Sequence, residues 1–123
     1  MNDQKRLVIT AMQELIGKGN LDAVEPLMRE DFVDHNPQVS TSSRADWIAF
    51  FRDFPLKQMR IEILRLFADD EFVTMFSRRW LADGSVILVS DVFRVTDGLI
   101  AEHWEVVQPI DGDTNPLATL SAG

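Results

Sequence analysis

Apolar positions along this chain follow two different spacings, and the change falls near Met59. Before it, Leu7, Val8, Ala11, Met12, Leu15 and Ile16 recur at helical spacing. They predict a first helix that Asn2 or Asp3 caps and that Gly17 or Gly19 ends. A second, shorter helix begins near Asn20 and carries Leu21, Val24, Leu27 and Met28. Pro26 confines it to its first turns or distorts it, because proline lacks the N–H that a helix interior needs. Asp31–Ser42 reads as a loop centred on His35-Asn36-Pro37. Ser43, followed three residues later by Asp46, resembles a capping box. It opens a third helix with Trp47, Ile48, Phe50, Phe51 and Phe54, which Pro55 stops.

After Met59 four segments alternate with turn signals: Arg60–Phe67, Phe72–Leu81, Val86–Thr96 and Leu99–Gln108. The breaks are Asp69-Asp70, Asp83-Gly84 and Asp97-Gly98, and Asp-Gly suits the positive φ of hairpin turns. Three N-terminal helices followed by a meander predict an α+β domain, with the helices packed on one face of a curved antiparallel sheet around a cavity. The tail Pro109–Gly123 is rich in Pro, Gly, Asp, Thr and Ser and reads as an extended arm.

Two-residue loops at the three breaks fix which side chains share a face. Thr96 then pairs with Leu99, Phe93 with Glu102 and Asp91 with Trp104. Asp91, Phe93 and Val95 share the helix side with Ile100, Glu102, Trp104, Val106 and Gln108. Phe72, Thr74, Phe76, Arg78 and Trp80 join them, as do Met59, Ile61, Ile63, Arg65 and Phe67. The opposite face holds Leu64, Leu66, Val73, Met75, Leu88, Val92 and Val107, with Arg79, Arg94, His103 and Glu105. It is too apolar to be freely solvated, so a homodimer through this outer sheet face is expected.

Composition narrows the function. The chain has 123 residues, the length of one domain, and 46% are hydrophobic. The net charge of -8 argues against nucleic acid or an anionic membrane as partner. There is no cysteine, which removes disulfides and thiol nucleophiles and suits a reducing cytoplasm. The first residues lack the apolar stretch of a signal peptide, and no apolar run approaches a membrane span.

Asp91, Arg78 and Glu102 stand out in an apolar layer, since a buried charge is costly unless paired. They read either as a satisfied ion-pair network or as a pocket whose carboxylate has a tuned pKa. His35, in the loop, is the second candidate, because an imidazole can carry a proton near neutral pH. No ligand spacing such as H-x-x-x-H supports a metal site, and no G-x-S-x-G, P-loop or G-x-G-x-x-G is present.

The run Asp91-Val92-Phe93-Arg94-Val95-Thr96-Asp97-Gly98-Leu99-Ile100-Ala101-Glu102-His103-Trp104-Glu105-Val106-Val107-Gln108 resembles the terminal hairpin of SnoaL-like polyketide cyclases. Phe32-Val33-Asp34-His35-Asn36-Pro37 resembles the same family's loop after its second helix. The resemblance implies the cone-shaped α+β fold shared with ketosteroid isomerase, scytalone dehydratase and limonene epoxide hydrolase. It implies a cavity without metal or organic cofactor, with Asp91 as proton acceptor and His35 as its partner. The family often has Asp where this chain has Glu105, and glycine where it reads Ser40-Thr41-Ser42-Ser43.

The leading expectation is therefore proton transfer next to a carbonyl of an apolar small molecule, as in an aldol-type cyclisation or isomerisation. Asn36, Trp47, Phe76, Arg78, Phe93, Glu102, Trp104 and Gln108 would line the substrate site. Epoxide or ester hydrolysis is the alternative, with Arg78 bridging two carboxylates around a water. A ligand-binding or dimerisation module without catalysis is the third reading.

Overall fold

The helical half forms where the spacing places it. In a computed structural model that describes residues 2–35, 41–112 and 116, helix α1 spans Asp3–Leu15. Asn2 caps it by accepting a hydrogen bond from the Lys5 amide at 2.9 Å. Its apolar stripe buries Val8, Ala11, Met12 and Leu15 against the sheet. Helix α2 is a single turn, Leu21–Val24, and Pro26 falls in the 3-10 turn Glu25–Leu27 that follows. Helix α3, Arg44–Arg52, begins at Ser43, whose Oγ accepts from the Asp46 amide at 3.2 Å. Ile48 is its buried anchor, and Trp47 packs on Phe51 and edge-on to Phe32.

The sheet is larger than the four segments suggest. Strands β1 (Met28–His35) and β2 (Thr41–Ser43) occupy most of the stretch read above as a loop. Beyond Met59 come β3 (Arg60–Asp69), β4 (Phe72–Trp80), β5 (Val86–Thr96) and β6 (Leu99–Ile110). The order is β2-β1-β6-β5-β4-β3, and β1 runs parallel to β6. The loop reading fails because β1 lacks strict alternation. Its buried residues, Met28 and Phe32, are four apart, and its pairing with β6 shifts between Met28 and Val33. Arg29 ties the start of β1 to the β5–β6 turn through Asp97, at 2.9 Å.

Register is where the sequence reading goes wrong, and each error has a local cause. The Asp97-Gly98 turn is as expected, with both residues at positive φ and Thr96 paired to Leu99. Just beyond it, Val95 pairs with Ile100 and Arg94 with Glu102, so Ala101 is an extra residue on β6. That bulge reverses every later side chain: Phe93 faces His103 and Asp91 faces Glu105. At the β4–β5 connection Trp80 pairs with Val86, leaving Leu81–Ser85 as a five-residue loop rather than a two-residue one. Parity reverses again, so Val73, Met75, Ser77 and Arg79 point inward, while Phe72, Thr74, Phe76, Arg78 and Trp80 point out. A third irregularity at Leu64 keeps Ile61 and Ile63 inside but turns Arg65 and Phe67 outward.

Val73 and Met75, assigned from sequence to the outer face, are thus fully buried core residues. Truncating Met75 to alanine should cost about 2–5 kcal/mol, as for a large-to-small change in a packed core. Thr74→Ala, on the opposite face, should cost under about 1 kcal/mol. Urea unfolding of the two variants measures the difference, and equal costs would contradict this register.

Candidate active site

Three adjacent strands and β1 bring five ionisable side chains to one end of a cavity. Asp91 leaves the middle of β5 with no exposed surface. Arg79 reaches it from β4, and its Nη2 donates a short hydrogen bond to Asp91 Oδ2. His103 reaches it from β6, with Nε2 2.6 Å from Asp91 Oδ1. The other ring nitrogen, Nδ1, lies 2.6 Å from Asp34 Oδ1 on β1, where the parallel register sets the two residues side by side. Glu105, two residues beyond His103, closes the group, with Oε2 3.7 Å from Arg79 Nη1.

Burial sorts these groups. The Arg79 and His103 side chains are 8% and 9% exposed, and Asp34 is 14% exposed. Glu105 is 38% exposed, the most open carboxyl of these five side chains. Burial alone would push the Asp91 carboxyl up, but the Arg79 charge and the His103 hydrogen bond outweigh it and hold Asp91 below the ordinary aspartate range. Burial would lower the His103 pKa, yet the hydrogen bonds it donates to Asp34 and Asp91 raise it to about 9. Glu105 shifts opposite to Asp91. Partial burial and then repulsion from Asp91 raise it above the usual glutamate value, against the pull of Arg79 and His103.

The cavity measures about 590 Å³ and lies between α1, α3 and the inner sheet face. Met12, Leu15, Met28, Phe32, Trp47 and Phe51 give it apolar walls, and Asp34, Arg79, Asp91, His103 and Glu105 form its polar end. Its lining also includes the exposed Phe50, Phe54, Val106 and Val107. Asp91, His103 and Glu105 offer atoms within 4.8 Å of one another. They do not fit a metal ion, because His103 Nε2 is already bonded to Asp91 and the Arg79 cation already contacts both carboxylates.

The sequence candidates divide accordingly. Asp91, Phe93 and Trp47 do line the cavity. Glu102 and Trp104 lie on the outer face, since the Ala101 bulge reverses them, and Gln108 follows the same parity. Arg78 also lies outside, hydrogen-bonded to Glu62 and stacked over Trp80, so Arg79 takes the place proposed for it beside Asp91. Phe76 is on the outer side. His35 borders the cavity, but its ring stacks on Trp104 and its Nε2 lies 2.6 Å from Glu102 Oε2. Glu102 accepts from Arg94 as well, and those two bonds hold its carboxyl below the ordinary range. Asn36 lies outside the described residues. Sequence reasoning missed Asp34, Arg79, His103 and Glu105 as cavity groups, although His103 and Glu105 sit in the run quoted above. For His103 and Glu105 the missing signal was the bulge at Ala101, which no turn residue announces, for Arg79 the five-residue Leu81–Ser85 loop, and for Asp34 the strand β1 itself.

A layer of helices over a curved six-stranded sheet, closing on a cavity with a buried charged end, defines a nuclear transport factor 2-like cone fold. The SnoaL-like domain family matches residues 9–103, and the chain belongs to that family. No curated protein sequence matches the chain. Among solved structures it is similar to a protein assigned as a ketosteroid isomerase from Kribbella flavida DSM 17836, at TM-score 0.77 and 21% identity over 96% of this chain and 87% of that one. It is also similar to an LEH-like epoxide hydrolase from M. tuberculosis, at TM-score 0.73 and 21% identity over 86% and 83%. A nuclear transport factor 2-like protein of unknown function from Cytophaga hutchinsonii ATCC 33406 superposes with TM-score 0.74 and 15% identity over 85% and 89%. Among the described residues no helix is long and apolar enough to cross a membrane.

The charge on His103 makes stability depend on pH. Its folded pKa of about 9 exceeds the ordinary 6.5, so its contribution is fully present below pH 6.5 and is lost as pH rises through 9. That loss is on the order of 3 kcal/mol. Urea unfolding at pH 6 and pH 10 should show it, and His103→Gln should flatten the profile over this range. An unchanged wild-type midpoint would contradict a charged His103.

Proposed function

We propose that this protein is a small-molecule enzyme that uses Glu105 to move a proton on an apolar substrate bound in the cavity. One observation carries the reading: Glu105 is the accessible carboxyl of the cavity's charged end and has a raised proton affinity, whereas Asp91 is fully buried and paired. A general base works best with a pKa near the operating pH, and partial burial beside Asp91 moves Glu105 in that direction. The sequence reading gave this role to Asp91. Asp91 instead has both oxygens occupied by Arg79 and His103, and so it orients the two cations.

The chemistry favoured is proton removal next to a carbonyl. Glu105 as carboxylate takes a carbon-bound proton, and negative charge moves from it to the substrate oxygen. Arg79 and His103 place fixed positive charge at that end of the cavity, where the apolar walls make it count for more than in water. Returning the proton from Glu105 to another carbon completes an isomerisation; attack of the enolate on a second carbonyl, whose alkoxide oxygen then takes the proton back from Glu105, completes an aldol cyclisation. Arg79 also contacts both Asp91 and Glu105, a bridge of two carboxylates that suits activation of a water for epoxide opening. In either reaction Glu105 handles the proton.

Deuterium exchange at the α-carbon of 2-tetralone, followed by NMR, tests enolisation directly. Opening of an aliphatic 1,2-epoxide in oxygen-18 water tests hydrolysis. Glu105→Gln should reduce the active reaction about 10²–10⁴-fold. The acidic limb of the wild-type rate profile should lie above pH 4.5, because the rate needs ionised Glu105 and burial raises its pKa. A variant as fast as wild type would remove Glu105 from the mechanism.

We further propose that the domain pairs with a second copy through the outer sheet face. Phe67 and Phe72 are exposed there, 60% and 41%, among Arg65, Arg78, Arg94, Glu62 and Glu102. A face carrying both charge signs around aromatic residues can complement itself across a twofold axis. Light scattering at micromolar concentration should give two chains for wild type and one for Phe67→Glu. A monomeric wild type would end this proposal.

A further inference from the structure

Asp34 and His103 are 69 positions apart, yet the parallel pairing of β1 with β6 sets them side by side. Nδ1 of the ring faces Asp34 and Nε2 faces Asp91, each at 2.6 Å. A carboxylate can only accept, so an imidazole held between two carboxylates donates from both nitrogens and is a cation. Removing one carboxylate frees one nitrogen and opens the way to the neutral ring.

The effect extends to the cavity. Glu105 is faced by Asp91 from β5, Arg79 from β4 and His103 on its own strand. Helix α3 adds Asp46 to the cavity lining, while α1 and its C-cap supply only Ala11, Met12, Leu15 and Ile16. Arg79 is cationic at any working pH, so His103 is the neighbour whose positive charge depends on a further partner. We propose that Asp34 is a positioning residue, which keeps His103 cationic and thereby sets the proton affinity of Glu105 through the chain Asp34, His103, Asp91. It exchanges no proton with the substrate. This inference rests on Glu105 being the proton carrier, but its test reads titration rather than turnover. It can therefore fail or hold whatever Glu105→Gln does to the rate.

The test follows the His103 ring and the Glu105 carboxyl by carbon-13 NMR across pH in the full chain, as wild type, Asp34→Asn and Asp34→Glu. The chain has two histidines, so His35→Gln assigns the remaining ring signal to His103. Wild-type His103 should titrate near 9. Asp34→Asn should lower that midpoint by at least about one pH unit, a tenfold loss of proton affinity. It should also draw the upper part of the Glu105 titration to higher pH, because each His103 that becomes neutral withdraws a positive charge that favoured ionised Glu105. Asp34→Glu should restore both curves. An unmoved His103 midpoint, or a moved one with an unchanged Glu105 curve, overturns the proposal. Should Asp34→Asn not fold, wild type alone still decides: a His103 midpoint at or below 6.5 overturns it.

Discussion

An ionised carboxylate with no exposed surface constrains everything around it. Asp91 is such a group, and in an apolar layer it survives only because Arg79 and His103 neutralise it at hydrogen-bonding distance. Those partners come from the strands on either side. The pairings of β4 with β5 and of β5 with β6 must therefore be correct together, since a one-residue slip in either would leave a buried charge alone. His103 in turn needs Asp34, which fixes β1 against β6. One buried charge thus ties four strands into register, and the open end of the same network becomes the polar end of the cavity.

How much of this the sequence shows depends on the range of the signal. Helix starts, the Pro26 break and the Asp97-Gly98 turn are local and legible, because a cap or a positive φ acts within a few residues. The α+β class and the family follow from such signals together with the hairpin run. The faces of the strands do not. They depend on counting residues in twos from each turn, and a single uncounted residue at Ala101 and an odd-length loop at Leu81–Ser85 reversed two strands. Asp91 was legible as a buried acid because its own parity defined the frame. Arg79, His103 and Glu105 were not, because each lies beyond an irregularity. Glu105 did carry one mark, standing where the family often has aspartate. Strand β1 was hidden for another reason: with Arg29, Glu30 and Asp31 between Met28 and Phe32 it has the composition of a loop, and it is held as a strand by pairing with distant β6.

The irregularities also have a use. A bulge bends its strand and re-aims the residues after it. In this chain the Ala101 bulge turns Glu102 and Trp104, which His35 packs against, to the outer face and His103 with Glu105 to the cavity, so neighbouring positions on β6 serve two surfaces. The same fold accommodates different chemistries because the walls stay apolar while a few inward polar positions change. Here those positions place two cations and three carboxyl groups at one end, an arrangement suited to moving protons on an otherwise neutral molecule.

The central claim is that His103 is a cation held between Asp34 and Asp91, and the most direct measurement is where its protons are. Neutron diffraction from a crystal soaked in heavy water near pH 7 would locate them. Deuterium is expected on both Nδ1 and Nε2 of His103 and none on Asp91. A singly protonated His103, or a deuteron on Asp91, would contradict it.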